Sequence, residues 1–378
     1  MDTNQSLRDR LAEIDAQIAL LQTEREIIQK HLQSVTYPVL SLPFDVTSEI
    51  FTLCLPDLEH AESIFNSKSL CRRYLLPTVL LLSQICRVWR AIASKTSKLW
   101  AIFRLVADAW PEDHALGALR LVEWTTRAGS SPLSFVFGHK ERYPDRIRAL
   151  PAILALILAL SHQWQHVDLS LNPHEDLISE QFQSALHGRL PSLETLQITS
   201  TSPTRPWIMT TAFEVAPSLR RVVLNGIQPR MILLPWKQLT YVSTDSVYFT
   251  DCMHILQFAV SLVECKFGHI NGFTDQPGHP SDHSDPLCHS DLKVFRLKGC
   301  DECGGIFGLT TLPSLAELVL DDTDVDASEH YQQFVDLLSR FRPPLLRLPP
   351  WRCVSAHTAR LPISDRPHLS RDFPLDCG

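Results

Sequence analysis

A six-residue string with apolar residues at its first and fourth positions recurs seven times between residues 164 and 320, and in six of the seven the sixth residue is apolar too. Such close alternation of apolar and polar residues predicts a strand with one buried face. Spacings of 20 to 30 residues between strings predict that the strands stack in parallel as a solenoid, because each repeat can bury its apolar face only against its neighbours. The strings begin at Trp164, Leu193, Leu219, Leu239, Leu262, Leu292 and Leu315.

The period and composition of these strings resemble leucine-rich repeats. In that family an Asn or Cys stands three positions beyond the last apolar residue of the strand, and here Asn172 and Cys300 comply. The corresponding residues of the other strings do not match, so the resemblance implies an irregular leucine-rich-repeat domain over residues 162–342. The residues that depart from the pattern are Thr201, Ile227, Val247, Ile270 and Thr323.

The residues between the apolar positions are predicted to face solvent along one ladder, the usual binding surface of a solenoid. The ladder carries both charges and an aromatic ring, which suits a protein partner better than a nucleotide or a lipid. A merely solvated face would show the same pattern, so both interpretations stay open. Other ladder positions include His166, Asp168, Gln197 and Glu317. The candidate substrate-binding residues are Arg221, Tyr241, Glu264, Lys266, Arg296 and Lys298.

Three short helical patterns lie between Tyr37 and Leu105. The first follows Pro43 and places Val46, Ile50 and Leu53, with Phe51 and Cys54 beside them, on one predicted buried face. The second runs from Pro77 through Ala93, after a polar insertion at residues 57–74, and the third covers residues 97–103. These helices share more apolar face than roughly fifty residues need for their own core, so we expect a partner to cover some of it.

Leu42-Pro43, Ile50-Phe51, the run from Ile85 to Arg90, and Leu99-Trp100 together resemble an F-box. More narrowly they resemble the F-box-like proteins of fungi, which combine an N-terminal helix with an irregular repeat tail. In that family the F-box docks on a Skp-type adaptor of a cullin-RING ubiquitin ligase, and the repeats hold the substrate. The insertion at 57–74 is longer than in a minimal F-box. The adaptor-binding residues that the resemblance implies are Leu42, Pro43, Ile50, Phe51, Leu82, Ile85, Cys86, Trp89, Leu99 and Trp100.

An N-terminal helix is predicted from about Gln5 to Gln33, because apolar residues alternate there by four and three positions. This heptad seam is broken only by Arg25, and the flanking residues are weakly charged. A homodimer through the seam and a helix that folds back on its own chain both remain open. The seam consists of Leu7, Leu11, Ile14, Ile18, Leu21, Ile28 and Leu32.

Composition excludes several classes of partner. The 35 basic and 42 acidic residues give a net charge of −7 without a basic cluster, which argues against nucleic acid. The longest apolar run, at residues 153–160, is far shorter than the about 20 residues that a bilayer requires. The N-terminus lacks the apolar stretch of a signal peptide, so we expect a cytoplasmic or nuclear protein with reduced cysteines.

One cluster has the composition of a metal site. Cys300 and Cys303 show a zinc-ligand spacing, with His279 and His283 nearby, as well as Cys288 and His289. Cys300, however, occupies a position that a repeat core favours, and residues 272–289 have the composition of a loop. With no phosphate-binding glycine loop or nucleophile motif either, we expect no metal, no cofactor and no enzymatic activity.

The predicted fold class is therefore α/β, with an N-terminal helix and an all-α F-box-like module before an irregular leucine-rich-repeat solenoid. The predicted domains are residues 1–36, 37–105, a connecting segment of helices and a strand at 106–161, 162–342, and a Pro-rich disordered tail at 343–378. The predicted function is a substrate-recognition adaptor of an SCF-type ligase. The alternative is a non-catalytic scaffold that dimerises through its N-terminal helix and has no ligase link.

Overall fold

The computed structural model describes residues 2–34, 38–55, 78–106, 114–138, 150–171, 179–200, 209–271, 287–298 and 303–321. In these ranges the protein is mixed α/β, with nine helices and eleven strands. It divides into two compact units, Met1–Ser202 with Ala212–Ser218, and Pro203–Thr211 with Leu219–Gly378. The predicted insertion at 57–74, residues 272–286 of the predicted loop, Cys300 and the tail at 343–378 lie outside the described residues.

The first unit contains four parallel strands, which pair in the order β1-β2-β3-β4. Its described helices precede and connect them. The helices are α1 Asp2–Ser34, α2 Phe44–Leu53, α3 Thr78–Ile85, α4 Arg87–Lys95, α5 His114–Ala128, α6 Leu150–Ala159 and α7 Glu180–Leu186. The strands are β1 Ile102–Val106, β2 Leu133–Gly138, β3 Trp164–Leu171 and β4 Thr195–Ser200.

The second unit contains five parallel strands in the order β5-β6-β7-β9-β11, together with a separate pair formed by β8 and β10. Its two described helices are α8 Phe249–Phe258 and α9 Cys303–Gly308. The strands are β5 Arg221–Asn225, β6 Tyr241–Tyr248, β7 Glu264–Asn271, β8 Leu287–Cys288, β9 Val294–Lys298, β10 Thr310–Thr311 and β11 Glu317–Asp321.

Each of the seven predicted strings contains a strand, and its apolar positions stack in register with those of the next strand in the same unit. In the second unit Val242 pairs with Cys265, and Cys265 in turn lies opposite Phe295 on β9. All apolar positions of the strings are buried except Leu320, which is half-buried. The predicted strands and their buried faces are therefore confirmed, and the core of each unit is a set of such apolar columns.

The two strands before Trp164 extend the same columns. Phe103 on β1 pairs with Phe135 on β2, and Phe135 pairs with Val167 on β3. The predicted third helix is wrong at its end, because a 3-10 helix stops at Trp100 and Phe103 belongs to β1. The spacing of Trp100 and Phe103 fits both a helix and a strand string, and pairing with β2 decides between them.

The second helical pattern is two helices and not one. The chain breaks at Cys86, whose extended backbone (φ −154°, ψ 171°) separates α3 from α4. The Cys86 thiol accepts a hydrogen bond from the Trp89 amide at 3.4 Å, and the Arg90 guanidinium donates to the Ser83 carbonyl across the break at 2.8 Å. Cys86 thus caps α4, a role that is not apparent from sequence because neither Pro nor Gly marks the break.

Strands β6 and β7 approach closely at Gly268. Thr244 pairs with Phe267 and Ser246 pairs with His269, so the backbone of Asp245 lies against Gly268 between these pairs. A Cβ atom there would clash with the carbonyl group of Asp245. We expect Gly268→Ala to lower the free energy of unfolding by about 1–3 kcal/mol. Urea denaturation measures this loss, Gly129→Asn provides a tolerant control at a turn, and an unchanged midpoint for Gly268→Ala would contradict the close approach.

Candidate protein-binding surfaces

Ten large apolar side chains are exposed in the described parts of the first module, residues 38–55 and 78–88. Their exposed fractions lie between 37% and 78%, although these residue types are usually buried. We call them the apolar surface. Its members are Val39, Leu40, Leu42, Phe44, Val46, Ile50, Leu53, Leu81, Ile85 and Val88.

The predicted buried face of α2 is right for Phe51 and wrong for its other members, among which Cys54 is also exposed. Val46, Ile50 and Leu53 are exposed, whereas α2 buries Thr47 and Phe51. Since Thr47 and Phe51 are four positions apart, they lie on one side of the helix and pack inward together. The apolar spacing was real, but it marks a face that no described part of the chain covers.

A small aromatic core holds the module together beneath the apolar surface. The ring of Phe51 on α2 meets that of Trp89 on α4 edge to face, with centroids 4.9 Å apart. The Trp100 indole donates a hydrogen bond to the Ala93 carbonyl at 2.9 Å and packs against Trp124 of α5. Because these contacts link α2, α4, α5 and the 3-10 helix, the exposed side chains stand on a packed support.

The ten residues predicted to bind an adaptor divide by exposure into three groups. Four are exposed, namely Leu42, Pro43, Ile50 and Ile85. Two are half-buried, Cys86 and Trp89, and four are buried, Phe51, Leu82, Leu99 and Trp100. The four buried residues can position the residues that contact a partner, but they contribute little contact area of their own. Sequence reasoning missed the exposed Val39, Leu40, Phe44, Leu81 and Val88 as candidates, although their apolar character on a short amphipathic module was the available signal.

The second unit brings five of the six predicted substrate-binding residues together on its strands. Arg221, Tyr241 and Glu264 lie side by side in register on β5, β6 and β7, and Lys266 lies beside Arg296 of β9. Lys298 stands apart at the exposed end of β9, in register with Asp321 of β11.

The Tyr241 ring lies between two cations. The Arg221 guanidinium carbon is 4.0 Å from the ring centroid and the Lys266 ammonium is 5.3 Å from it, which leaves Tyr241 only 1% exposed. Lys266 also pairs with Glu264, and Arg296 pairs with Glu317, both at 3.2 Å. The predicted solvent-facing position is therefore wrong for Tyr241, because its neighbours on the adjacent strands close over the ring. This surface presents mutually paired charges instead of a block of one sign.

The corresponding ladder of the first unit is buried. His166, Asp168 and Gln197 are predicted to face solvent but are less than 8% exposed. His166 and Asp168 on β3 are each flanked by a residue of β2 and a residue of β4, and Gln197 on β4 is in register with Asp168. Burial raises the pKa of Asp168 from its usual value to about 7, and the Arg104 guanidinium opposes that shift. Among the described residues the Asp168 Oδ1 atom accepts no hydrogen bond, which is consistent with a carboxyl group that carries a proton.

The thiols of Cys252 and Cys265 and the imidazole of His289 are buried in the core, and the His254 imidazole is half-buried. Burial raises the pKa of the Cys252 and Cys265 thiols, so both stay protonated at neutral pH. Burial likewise lowers the pKa of His254 and of His289, and His289 contacts the Leu256 carbonyl through its Nε2 atom. A protonated thiol in an apolar environment is a poor nucleophile, so these groups contribute packing.

Of the residues in the zinc-like cluster, Cys288 is exposed and His289 is buried, whereas Cys300, His279 and His283 lie outside the described residues. Within the described ranges no three His, Cys, Asp or Glu side chains converge as metal ligands. No helix in those ranges combines the length and the apolar character that a membrane span needs.

Comparison of the chain with protein-family models, with curated proteins and with solved structures found no match. The features of the chain that bear on its function are the apolar surface, the paired strands and the resemblance of residues 37–105 to an F-box.

Proposed function

We propose that this protein is a substrate-recognition adaptor of a cullin-RING ubiquitin ligase of the SCF type. Residues 37–105 act as the F-box-like domain that binds a Skp-type adaptor. Residues 162–342 act as an irregular leucine-rich-repeat solenoid that binds a protein substrate. The main observation in support of the proposal is the exposed apolar surface of the F-box-like domain.

The apolar surface is unusual for a chain that has no partner. Soluble proteins expose single apolar residues routinely, but contiguous groups of them mark sites of protein association. Here ten Val, Leu, Ile and Phe side chains among the described residues from 39 to 88 are exposed, and the ring contact of Phe51 with Trp89 joins α2 to α4, two of the helices that carry them. A rigid support lowers the entropic cost of binding, which favours a docking surface over a loosely packed core.

The strand ladder of the second unit supports binding of a protein substrate. Arg221 and Lys266 lie over the buried Tyr241 ring, and arginine is among the residues that are enriched at protein interfaces. The acidic partners Glu264 and Glu317 alternate with the cations Lys266 and Arg296. A substrate whose surface carries the complementary alternation of charges would form ion pairs with these side chains in place of the pairs they make with one another. In this role the chain performs no bond chemistry and needs no cofactor. It raises the local concentration of substrate for ubiquitin transfer by other subunits.

Loss of adaptor binding tests the proposal. We expect the full chain to bind a Skp-type adaptor at micromolar concentration or below. A change of Ile50→Glu should weaken that complex by about 100-fold, because it places a carboxylate against a desolvated apolar contact. Isothermal titration calorimetry with the purified adaptor measures the effect, and Leu42→Ala should cause a smaller loss in the same direction.

Leu119→Glu is the matched control for this measurement. Leu119 is an exposed leucine on α5, away from the apolar surface, and its change should leave adaptor affinity within about twofold. No complex at micromolar concentration, or equal affinities of the wild type and Ile50→Glu, would reject the ligase function.

The second candidate is a scaffold that dimerises through α1 and has no ligase link. It is favoured by the exposure of every residue from 4 to 34. A dimer on its own does not separate the two candidates, since an adaptor can also dimerise. Sedimentation of the intact chain with and without the Skp-type adaptor does separate them, because only the ligase adaptor forms a larger complex.

A further inference from the structure

Helix α1 is long, and its seam is uncovered. It spans 33 residues, or about 50 Å, and each residue from 4 to 34 is exposed. The seven apolar seam residues from Leu7 to Leu32 are 44% to 66% exposed. Most helical stability in proteins comes from packing of an apolar face, so this helix needs a cover for the seam.

The seam has the length and the pattern of a two-stranded coiled coil. Leu7, Ile14, Leu21 and Ile28 occupy d positions, and Leu11, Ile18 and Leu32 occupy a positions together with Arg25. The pattern extends over nearly four heptads, which is the length at which such a repeat argues for a coiled coil. The single polar residue in the seam, Arg25, is therefore the feature that sets the orientation of the partner helix.

A parallel pair of α1 helices would place Arg25 against Arg25 of the second copy within the apolar seam. In an antiparallel pair, each seam residue of one copy can lie opposite a seam residue of the second copy. In this alignment the numbers of the two opposed residues add up to 39. Arg25 then lies opposite Ile14, and the remaining layers pair Leu7 with Leu32, Leu11 with Ile28, and Ile18 with Leu21. Apart from the layers of Arg25 and Ile14, this alignment matches apolar residues with apolar residues, and it keeps like charges out of the same layer.

The charges beside the seam and the helix dipoles agree with the antiparallel alignment. It brings Gln17 near Glu24 of the second copy and Asp15 near Gln22, so no two acidic residues face each other. Opposed helix dipoles also attract. A parallel pair would gain contacts between Arg10 and Asp15, but these lie at the exposed rim, and Arg10 already pairs with Glu13 at 3.2 Å.

We propose that α1 forms an antiparallel coiled coil with α1 of a second copy of this chain. The two chains then continue from opposite ends of the coiled coil. If the proposed function holds, the dimer carries two adaptor-binding surfaces and two substrate ladders. Such an assembly binds a substrate with two recognition sites more tightly than a monomer does, by raising the effective concentration of the second site.

Sedimentation equilibrium of full-length variants tests both the dimer and its orientation. We expect the wild type to be dimeric at about 10 µM and Ile18→Glu to raise the dimer dissociation constant at least tenfold, by placing an unpaired carboxylate opposite Leu21. In the antiparallel alignment, Ile14→Glu places its carboxylate opposite Arg25 of the second copy. Its dissociation constant should therefore stay within about threefold of the wild type.

Equal losses of dimer in Ile14→Glu and Ile18→Glu would overturn the antiparallel assignment, because a parallel pair places like charges together in both variants. A wild type that stays monomeric up to about 100 µM would overturn the dimer itself. Helical circular dichroism verifies that each variant retains its helices. Binding of the Skp-type adaptor to Ile18→Glu is measured alongside, so that failure of the dimer and failure of the proposed function give different results.

Discussion

Replacement of Trp164 by alanine is expected to lower the free energy of unfolding by about 3–5 kcal/mol. Trp164 begins the first of the seven strings and is fully buried at the start of β3. Its indole N–H donates to the Ile157 carbonyl at 3.2 Å, and its ring meets that of Phe135 at 5.3 Å between centroids. Truncation therefore leaves a cavity, removes one of the two hydrogen bonds that the Ile157 carbonyl accepts, and removes an aromatic contact at the same position.

Urea denaturation followed by far-ultraviolet circular dichroism measures this loss. Trp164→Phe keeps an aromatic ring and should lose less, about 1–2 kcal/mol, from the missing hydrogen bond and the smaller ring. His162→Ala changes an exposed neighbour and should stay within about 0.5 kcal/mol of the wild type. A loss below about 1 kcal/mol for Trp164→Ala would show that Trp164 is not part of the packed column.

Replacement of Asp168 by asparagine is expected to stabilise the protein at pH 8 by about 2–4 kcal/mol and to have little effect at pH 4. The pKa of Asp168 is about 7 in the folded protein, where burial disfavours the carboxylate, against 3.8 for an unperturbed aspartate. Between these two values the folded state binds more protons than the unfolded state. The stability associated with this group is therefore complete below pH 4 and is lost as the pH rises to about 7.

Asparagine cannot ionise, so it removes this pH-dependent loss. The pKa of about 7 already includes the attraction of the ionised Asp168 to Arg104, which opposes the larger effect of burial. Denaturation of the wild type and of Asp168→Asn at pH 4, 6 and 8 measures the difference. Asp291→Asn, which changes an exposed aspartate, controls for the loss of one negative charge. A difference between Asp168→Asn and the wild type that does not vary with pH would contradict the burial of an ionisable carboxyl group.

Much of the architecture was predictable because the signals are local. The strings from Trp164 to Leu320 predicted their seven strands, and the heptad seam predicted α1 to within three residues at each end. In both cases the periodicity of apolar residues reflects the geometry of a single element. Where one spacing fitted two elements, as at Trp100 and Phe103, prediction failed. It also failed at Cys86, where a thiol in place of Pro or Gly ends one helix and caps the next.

The candidate surfaces were predictable in position but not in exposure. Sequence placed Tyr241 and Asp168 on the outward ladder, and the strand register puts them there. Their burial depends on Arg221 and Lys266 in one case and on the neighbouring strands in the other, which are distant in sequence. Similarly, the spacing on α2 identified an apolar face, but the packing of Phe51 against Trp89 determined that the opposite face points inward.

The sequence by itself determined the seven strands that begin at the strings, the apolar residues of those strands that point inward, and the apolar seam of α1. These properties follow from the alternation of side chains along one segment of backbone. Tertiary structure alone decided that the stripe of Val46, Ile50 and Leu53 stays exposed and that the carboxyl group of Asp168 is buried. The exposure of a residue depends on the side chains of neighbouring elements that pack against it. The periodicity of a single segment does not indicate which elements those are.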